Sequence, residues 1–168
     1  TAEYVKKVEG TGAMIIDTRK TTPGMRFLEK EAVRIGGGTN HRMGLYDMIM
    51  LKDNHIDYAG GIAAAINRTK DYLLKNGLNL RIEVESRNLG DVKEILAIGG
   101  VDRIMLDNFS VPLTVEAVKI IGGRTETESS GGITLSNVRD YAECGVDFIS
   151  IGALTHHIKS LDLSLKAF

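Results

Sequence analysis

Short apolar runs alternate with longer amphipathic stretches along almost the whole chain. Apolar runs bounded by turn residues predict strands buried in a sheet, whereas apolar residues at helical spacing predict helices between them. The apolar runs, with one short polar segment at 125–129, predict six strands, at residues 13–17, 48–51, 80–85, 103–106, 125–129 and 147–151. The amphipathic stretches predict helices at residues 2–9, 27–35, 58–75, 89–98, 111–121 and 135–144.

The alternation of strand and helix is typical of a parallel sheet covered by helices. The third to sixth predicted strands begin near residues 81, 103, 125 and 148, at intervals of 22, 22 and 23 residues. Such regular units favour a barrel over an open doubly wound sheet, but a complete eight-unit barrel takes about 250 residues. We therefore predict an α/β fold with about six βα units, an open or incomplete parallel barrel of the TIM type.

The last segment departs from this pattern. Residues 161–166 (LDLSLK) alternate leucine with polar residues, which predicts a half-exposed antiparallel strand. The rest of the chain offers this strand no obvious partner. We therefore expect residues 1–160 to form the barrel domain and residues 161–168 to form a terminal strand that pairs with another part of a larger protein.

The composition is typical of a single soluble globular domain. Of the 168 residues, 43% are hydrophobic and 26% are charged, and the net charge of −1 argues against nucleic-acid binding. No apolar stretch approaches the roughly 20 residues that span a bilayer, and the first ten residues lack the features of a signal peptide. The single cysteine excludes an intrachain disulfide and a cysteine-based zinc site. We therefore expect a cytoplasmic protein with no membrane or nucleic-acid partner.

Polar residues follow every predicted strand. The loops after the strands form the functional face of a parallel barrel, so these residues should gather at one rim. In chain order they are residues 17–20, residues 52–55, Glu85, Asp107 and Asn108, residues 130–132, and Gly152. The first two loops carry Arg19, Lys20 and Lys52, and a further polar cluster at residues 39–42 adds His41 and Arg42. Clustered cations among glycines indicate a pocket for a small anion.

Carboxylates lie within or at the end of the third and fourth predicted strands. Period two places Glu83 and Glu85 on one side of the third strand, and Asp107 follows the fourth. Buried carboxylates need a cationic partner or a metal ion. This pattern predicts a paired or metal-binding acidic group beside the cations.

Glycines follow the last two strands. Ser130, Gly131, Gly132 and Gly152 offer backbone N–H groups that no side chain obstructs, and a helix beginning near Leu135 would add its N-terminal dipole. A phosphate site between the final strand loops is common in barrels. The alternative is that these glycines only make tight turns.

Two single residues leave more than one interpretation open. Lys52, at a strand end, could attack a carbonyl as a Schiff-base lysine, although anion binding is the simpler role among so many cations. His41 and His55 could be acid–base groups, anion contacts or structural histidines.

Seven ordered motifs resemble the quinolinate phosphoribosyltransferase family over essentially all of the chain. The motifs are DTRKTTPG at 17–24, GGGTNHR at 36–42, LKDNH at 51–55, EVE at 83–85, LDN at 106–108, ESSGG at 128–132 and IGALT at 151–155. The resemblance implies a type II phosphoribosyltransferase barrel that joins quinolinate to phosphoribosyl pyrophosphate with Mg²⁺, giving nicotinate mononucleotide, pyrophosphate and carbon dioxide in NAD biosynthesis. It also implies a preceding sandwich domain, which this sequence lacks, and a homodimer or higher oligomer in which that domain supplies an arginine to the partner's site.

The resemblance also implies a role for each matching position. It assigns catalysis to Lys20, Lys52, Glu85 and Asp107, with Mg²⁺ held directly or indirectly by Glu85 and Asp107. It assigns substrate binding to Thr18, Arg19, Lys20, His41, Arg42, Lys52, Glu85, Asp107, Ser130, Gly131, Gly132, Ile151, Gly152 and Ala153. Two other hypotheses remain: a Schiff-base lyase or aldolase that uses Lys52, and a non-catalytic phosphate-binding fragment that lacks its N-terminal domain.

Overall fold

The computed structural model of the chain describes residues 1–156, 158 and 162–167. Six strands lie within this part of the chain: β1 (Met14–Ile16), β2 (Ile49–Leu51), β3 (Ile82–Ser86), β4 (Arg103–Asp107), β5 (Glu126–Ser130) and β6 (Phe148–Ser150). The helices are α1 (Ala2–Val8), α2 (Arg26–Ile35), α3 (Asp53–Ala59), α4 (Ile62–Asn76), α5 (Leu89–Ile98), α6 (Val111–Ile121), α7 (Val138–Glu143) and α8 (Ala153–His156).

The strands form one sheet in the order β1-β6-β5-β4-β3-β2, and every pair is parallel. Strands β1 and β2 are its two edges, so the barrel is open between them, and the predicted open parallel barrel is confirmed. Residues 39–42 lie in the opening. Thr39 N donates to Ile15 O at 2.8 Å on the β1 side, and Arg42 Nη1 donates to Met48 O at 3.2 Å on the β2 side. The segment that carries His41 and Arg42 therefore bridges the two edges.

The two faces of the sheet carry different chemistry. On the helix side, Ile82, Val84 and Ile104 belong to one apolar core with the inner faces of the helices. On the barrel side, β3 carries Glu83 and Glu85, both buried, because successive residues of a strand point to opposite faces. The predicted alternation in this strand therefore separates an apolar layer from a charged barrel interior.

Two predicted helices have different bounds in the structure. The helix predicted at 58–75 is divided into α3 and α4, since Gly60 and Gly61 have φ values of 89° and 123°, which a helix cannot continue through. The helix predicted at 135–144 begins only at Val138, because residues 135–137 form a turn. None of the helices in the described part of the chain is long and apolar enough to cross a membrane.

The terminal segment carries exposed leucines. Leu163 and Leu165 are 86% and 103% exposed, and residues 162–167 have no strand pairing in the structure. Leu161 and Phe168, at the ends of the expected strand, lie outside the described residues. Pairing of this segment with another domain stays a prediction.

Helix α4 allows the apolar core to be tested with one buried and one exposed side chain. Ile66 is fully buried, whereas Leu74 is 84% exposed. We expect Ile66→Ala to lower the free energy of unfolding by about 2–5 kcal/mol, because it leaves a cavity in the core. Leu74→Ala should change it by less than about 0.5 kcal/mol. Urea denaturation measures both, and equal losses would contradict this placement of the core.

Candidate active site

Two adjoining cavities open at the carboxyl ends of the strands. The cavity that we call the cationic cavity has a volume of about 150 Å³ and is lined by Thr18, Arg19, Lys20, His41, Arg42, Met50, Lys52, Met105, Glu128, Ser130 and Ser150. The one that we call the glycine-rich cavity has a volume of about 620 Å³ and is lined by Thr18, Lys20, Lys52, Asp53, Glu85, Asp107, Asn108, Ser130, Gly131, Gly132, Ile133, Thr134, Ser150, Gly152, Ala153 and His156. Because Lys20 and Lys52 line both, ligands in the two cavities would share these ammonium groups.

The cations of the first cavity lie close enough to affect one another. Arg42 is half-buried, and its Nη2 approaches Met50 Sδ at 3.4 Å. Burial lowers the pKa of Arg42, and the nearby charge of Arg19 lowers it further. Two guanidinium groups in one small cavity repel each other, so an anion that binds between them relieves this repulsion.

Asp17 joins the two loops that carry these cations. It is fully buried, and its carboxylate accepts from Lys30 Nζ at 2.6 Å, from Asn40 Nδ2 at 2.6 Å and from His41 N at 2.8 Å. The Asp17 side chain therefore points away from the cavities and has a structural role. Lys30, which compensates its charge, belongs to α2 and was not among the predicted site residues.

Arg26 and Thr155 hold the backbone of the first loop. Arg26 Nη2 donates to Arg19 O at 3.0 Å, and its Nη1 donates to Met43 O at 3.3 Å. Thr155 Oγ1 donates to Lys20 O at 2.7 Å, which ties the loop to α8. The backbone at Arg19 and Lys20 is therefore held by contacts from α2 and α8.

Beneath the cationic cavity, His41 contacts two buried carboxylates. Its Nε2 lies 3.0 Å from Glu83 Oε2 and 3.2 Å from Glu128 Oε2, as ion-pair contacts that lack the direction of hydrogen bonds. Burial lowers the pKa of His41, but the contacts and charges of Glu128 and Glu83 outweigh it and raise this pKa to about 9. Burial and the charge of Glu128 raise the pKa of Glu83 to about 7. Burial opposes ionisation of Glu128, yet the His41 contact holds the pKa of Glu128 below its usual value.

The protonation of His41 follows from these neighbours. Arg42 N also donates to His41 Nδ1, at 2.6 Å, and a doubly protonated ring would lose that bond. The cation is nevertheless favoured, because two buried carboxylates outweigh one backbone contact. His41, Glu83 and Glu128 also have the spacing of a metal site. In both the neutral and the charged state the proton is on Nε2, so a metal ion could bind that atom only by displacing this proton.

The glycine-rich cavity contains a separate pair of carboxylates. Lys52 Nζ lies 2.8 Å from Glu85 Oε2, and Asn108 Nδ2 donates to Asp107 Oδ2 at 2.6 Å. Burial raises the pKa of Asp107, and the charge of Glu85 raises it further. A divalent cation would relieve this repulsion, and carboxylate oxygens are the ligands that Mg²⁺ prefers. Glu85 and Asp107 therefore fit a magnesium ion.

Two glycines of these loops lie so close to neighbouring side chains that a larger residue would require those side chains to shift. Gly131 has a φ of 94°, and a Cβ there would overlap Oδ1 of Asn108. A Cβ at Gly152 would overlap Nε2 of His156. The sequence predicted that a helix beginning near Leu135 adds its N-terminal dipole to these loops. This helix start is wrong, because α7 begins only at Val138. Thr134 N, which precedes the helix, donates to Asn137 Oδ1. Residues of the loops line this cavity, and no residue of α7 is among them.

The structure brings the predicted site residues together with one exception. Ile151 lines neither cavity: it is 1% exposed, and its N–H donates to Ile16 O at 2.9 Å, which places it in the core. His55 is exposed and caps α3, since its Nδ1 accepts from Lys52 N at 3.0 Å, which fits the structural interpretation. Asp53 and Asn108, which the sequence placed at the rim without a role, also line the glycine-rich cavity. Sequence reasoning missed several other lining residues: Met50, Met105, Glu128, Ile133, Thr134, Ser150 and His156. The period of two in β5 could have indicated Glu128, which shares a strand face with Ser130.

The raised pKa of His41 predicts how stability depends on pH. Because the pKa is raised from 6.5 to about 9, its stabilisation is complete below about pH 6.5 and is lost as the pH rises through about 9. We expect the free energy of unfolding to fall by about 1–3 kcal/mol between about pH 7.5 and 9.5. The pKa of Glu83 is about 7, so Glu83 contributes to the pH dependence of stability mainly below this range.

Urea denaturation at several pH values measures this decline. His41→Gln should remove it, whereas the exposed His55→Gln should keep it. A decline that persists in His41→Gln would assign it to another group.

Comparison with known proteins gives a consistent result. The family model described as the C-terminal domain of quinolinate phosphoribosyl transferase matches residues 1–166. "Quinolinate phosphoribosyltransferase [decarboxylating] 1b" of Nicotiana tabacum is 50% identical over 168 residues, covering 92% of this chain and 48% of that protein. The chloroplastic nicotinate-nucleotide pyrophosphorylase [carboxylating] of Arabidopsis thaliana is 51% identical, with the same coverage.

Solved structures agree with this assignment. NadC from Streptococcus pyogenes has a TM-score of 0.91 and 43% sequence identity, covering 99% of this chain and 57% of that one. The nicotinate-nucleotide pyrophosphorylase of Francisella tularensis has a TM-score of 0.90 and 44% identity, covering 97% and 56%. The chain spans about half the length of the curated plant relatives named above. It belongs to the quinolinate phosphoribosyltransferase family and corresponds to the C-terminal domain of that family.

Proposed function

We propose that this chain forms the catalytic barrel of an enzyme that transfers a phosphoribosyl group from phosphoribosyl pyrophosphate to quinolinate and removes one carboxylate. The products would be nicotinate mononucleotide, pyrophosphate and carbon dioxide. The observation that carries this proposal is the pair of adjoining cavities, one lined by cations and the other by carboxylates and glycine loops. The names of the relatives at about 50% identity support the same reaction.

The cationic cavity suits a dicarboxylate. Arg19 and Arg42 repel each other there, and His41 adds a buried positive charge beneath them. A planar dianion such as quinolinate would compensate these charges, and guanidinium groups bind carboxylates with two parallel hydrogen bonds. Met50 and Met105 supply apolar contacts in the same cavity that suit a pyridine ring.

The glycine-rich cavity suits a phosphorylated sugar. Unobstructed amides at Gly131, Gly132 and Gly152 would bind the 5-phosphate, and Lys20 and Lys52 would face the pyrophosphate from the side shared with the cationic cavity. Glu85 and Asp107 would hold Mg²⁺, which when bound neutralises part of the pyrophosphate charge. The same carboxylates would accept hydrogen bonds from the ribose hydroxyls, a role that the family resemblance implies.

The chemistry depends on bringing two anions together. Quinolinate and phosphoribosyl pyrophosphate repel each other in water, whereas fixed cations let them approach to bonding distance. The pyridine nitrogen then bonds to the ribose carbon as the bond to pyrophosphate breaks, and the Glu85 carboxylate can stabilise the electron-poor carbon. The positively charged ring accepts the electrons released when CO2 leaves, and a proton takes its place. The reaction needs no organic cofactor for this step.

The full-length protein is part of this proposal. The chain spans about half the length of its curated relatives, so the sandwich domain, the arginine that it contributes to a partner's site and the resulting homo-oligomer are proposals drawn from the family resemblance. The cytoplasmic location expected from the sequence likewise stays a prediction.

Substitution of the cations tests the reaction. We expect Arg42→Ala and Lys52→Ala in the full-length protein to lower kcat/KM for nicotinate mononucleotide formation by about 10²-fold or more, because each removes a charge at the reacting anions. The control Lys119→Ala removes an exposed lysine of α6 and should leave the rate unchanged. Near-normal rates in both site variants would refute the proposal.

The same lysine separates the proposal from a Schiff-base enzyme. Lys52 Nζ forms an ion pair with Glu85 at 2.8 Å, and an ammonium group has no free lone pair with which to attack a carbonyl. Borohydride treatment in the presence of a carbonyl substrate should therefore leave Lys52 unmodified. Trapping of a covalent adduct on Lys52 would favour the lyase or aldolase.

Substitution of a glycine tests the phosphate loops. We expect Gly131→Ala to weaken binding of phosphoribosyl pyrophosphate about tenfold or more, since the added methyl group would displace Asn108. Gly60→Ala is the matched control: Gly60 has a φ of 89°, but its Cβ would meet nothing within 4 Å. Calorimetry on this chain measures binding, and a product assay on the same sample distinguishes an active domain from a phosphate-binding fragment. Equal binding by the two variants would argue against a phosphate site at Gly131.

A further inference from the structure

A row of alternating charges passes through the barrel interior to His41. We call it the ionic column; it consists of Arg81, Glu126, Arg103, Glu128 and His41. Arg81 and Glu126 form its partly exposed end, with an Arg81 Nη2 to Glu126 Oε2 distance of 2.5 Å. Arg103 continues it, because its Nε and Nη2 both lie 3.1 Å from Glu126 Oε2, and its Nη1 lies 3.1 Å from Glu128 Oε2.

The inner members of the column are buried. The side chains of Arg103, Glu128 and His41 are 6%, 0% and 4% exposed. The Arg103 guanidinium also stacks on Phe148, 3.7 Å from the ring centroid, which fixes its plane. Replacing a buried ion pair by apolar residues often stabilises a protein. Fold stability alone therefore does not explain why these charged side chains are buried here. We look for the explanation in the cationic cavity above them.

We infer that Glu128, held by Arg103, is a positioning residue that fixes His41 as a positive charge beneath the cationic cavity and thereby sets affinity for the dicarboxylate substrate. The identity of that substrate rests on the proposed function. Glu128 Oε2 lies 3.2 Å from His41 Nε2 and 3.1 Å from Arg103 Nη1, so one oxygen links the two cations. Movement of either cation would leave the fully buried Glu128 carboxylate with only the other cation to compensate its charge.

The other groups around His41 have different effects. Glu83 supports the cation from β3 at 3.0 Å, whereas Arg42, next in the chain, is a second cation that the charges of Glu83 and Glu128 attract. Asp17 and Lys30 contact only the His41 backbone, through its N–H and its carbonyl oxygen. Glu128 is therefore the group that joins His41 to the rest of the column.

The two cavities give this inference a specific consequence. His41 and Glu128 line the cationic cavity and are not among the residues that line the glycine-rich cavity. A change in the column should therefore alter binding of the dicarboxylate and spare binding of the phosphorylated sugar. A general loss of structure would weaken both.

The experiment compares Glu128→Gln with Glu126→Gln, because both glutamates contact Arg103 but only Glu128 contacts His41. NMR titration of the histidine rings in the ligand-free protein reports on His41 directly. We expect the pKa of His41 to fall from about 9 toward 6.5 in Glu128→Gln and to change little in Glu126→Gln. Calorimetry should give an approximately tenfold higher Kd for quinolinate in Glu128→Gln, with the Kd for phosphoribosyl pyrophosphate within about twofold of the wild type.

A second variant covers the case in which Glu128→Gln does not fold. Glu128→Asp keeps the charge but withdraws it by one methylene group, so we expect His41 to remain a cation at neutral pH while quinolinate binding weakens alone. An unchanged His41 titration and quinolinate Kd in Glu128→Gln, or equal weakening of both ligands in either variant, would overturn the inference. If the wild-type protein does not bind quinolinate, the proposed function fails, but the His41 titration still tests the column.

Discussion

The buried carboxylate of Asp17 is the interaction on which the site depends. The barrel is open between β1 and β2, and the segment with His41 and Arg42 has no place in the sheet ladder beyond Thr39. Asp17, at the end of β1, accepts from the His41 backbone and from Asn40, and Lys30 compensates its charge. Removing Lys30 would leave a buried charge unpaired, at a cost of about 3–5 kcal/mol. This connection, together with Arg26, holds together the two loops that carry the cations.

Charge is distributed differently inside the barrel and at its rim. In the interior, Arg103 and His41 compensate Glu128 within ion-pair distance, and the groups are almost fully buried. At the rim, Arg19 and Arg42 lie near each other, and the pKa of Arg42 is lowered accordingly. The interior therefore supports a rigid frame, while the rim retains positive charge that an anionic ligand can compensate. This division suits a site that must hold two anions side by side.

Most of the fold could be predicted because the strand pattern is strong. Five strands lie where the apolar runs indicated, and β5 lies at the polar segment 125–129. Residues after the strands gather at one rim because parallel strands end together. The errors concern features that depend on single residues. Gly60 and Gly61 divide a helix that periodicity alone would continue, and Ile151 faces the core although its neighbours in the IGALT motif line a cavity. No sequence pattern indicated that Lys30 and Arg103 form buried ion pairs, since their partners lie on distant segments.

The sequence by itself determined the open parallel barrel, the family and most of the residues at the rim, because periodicity and motif order are local properties of a chain. Only the tertiary structure decided which charges meet. In the folded chain, Lys52 pairs with Glu85 and Asp17 pairs with Lys30. Glu128 lies between Arg103 and His41. The reason is physical: the state of an ionisable group depends on burial and on charges within a few ångströms, and those neighbours come from segments that only folding brings together.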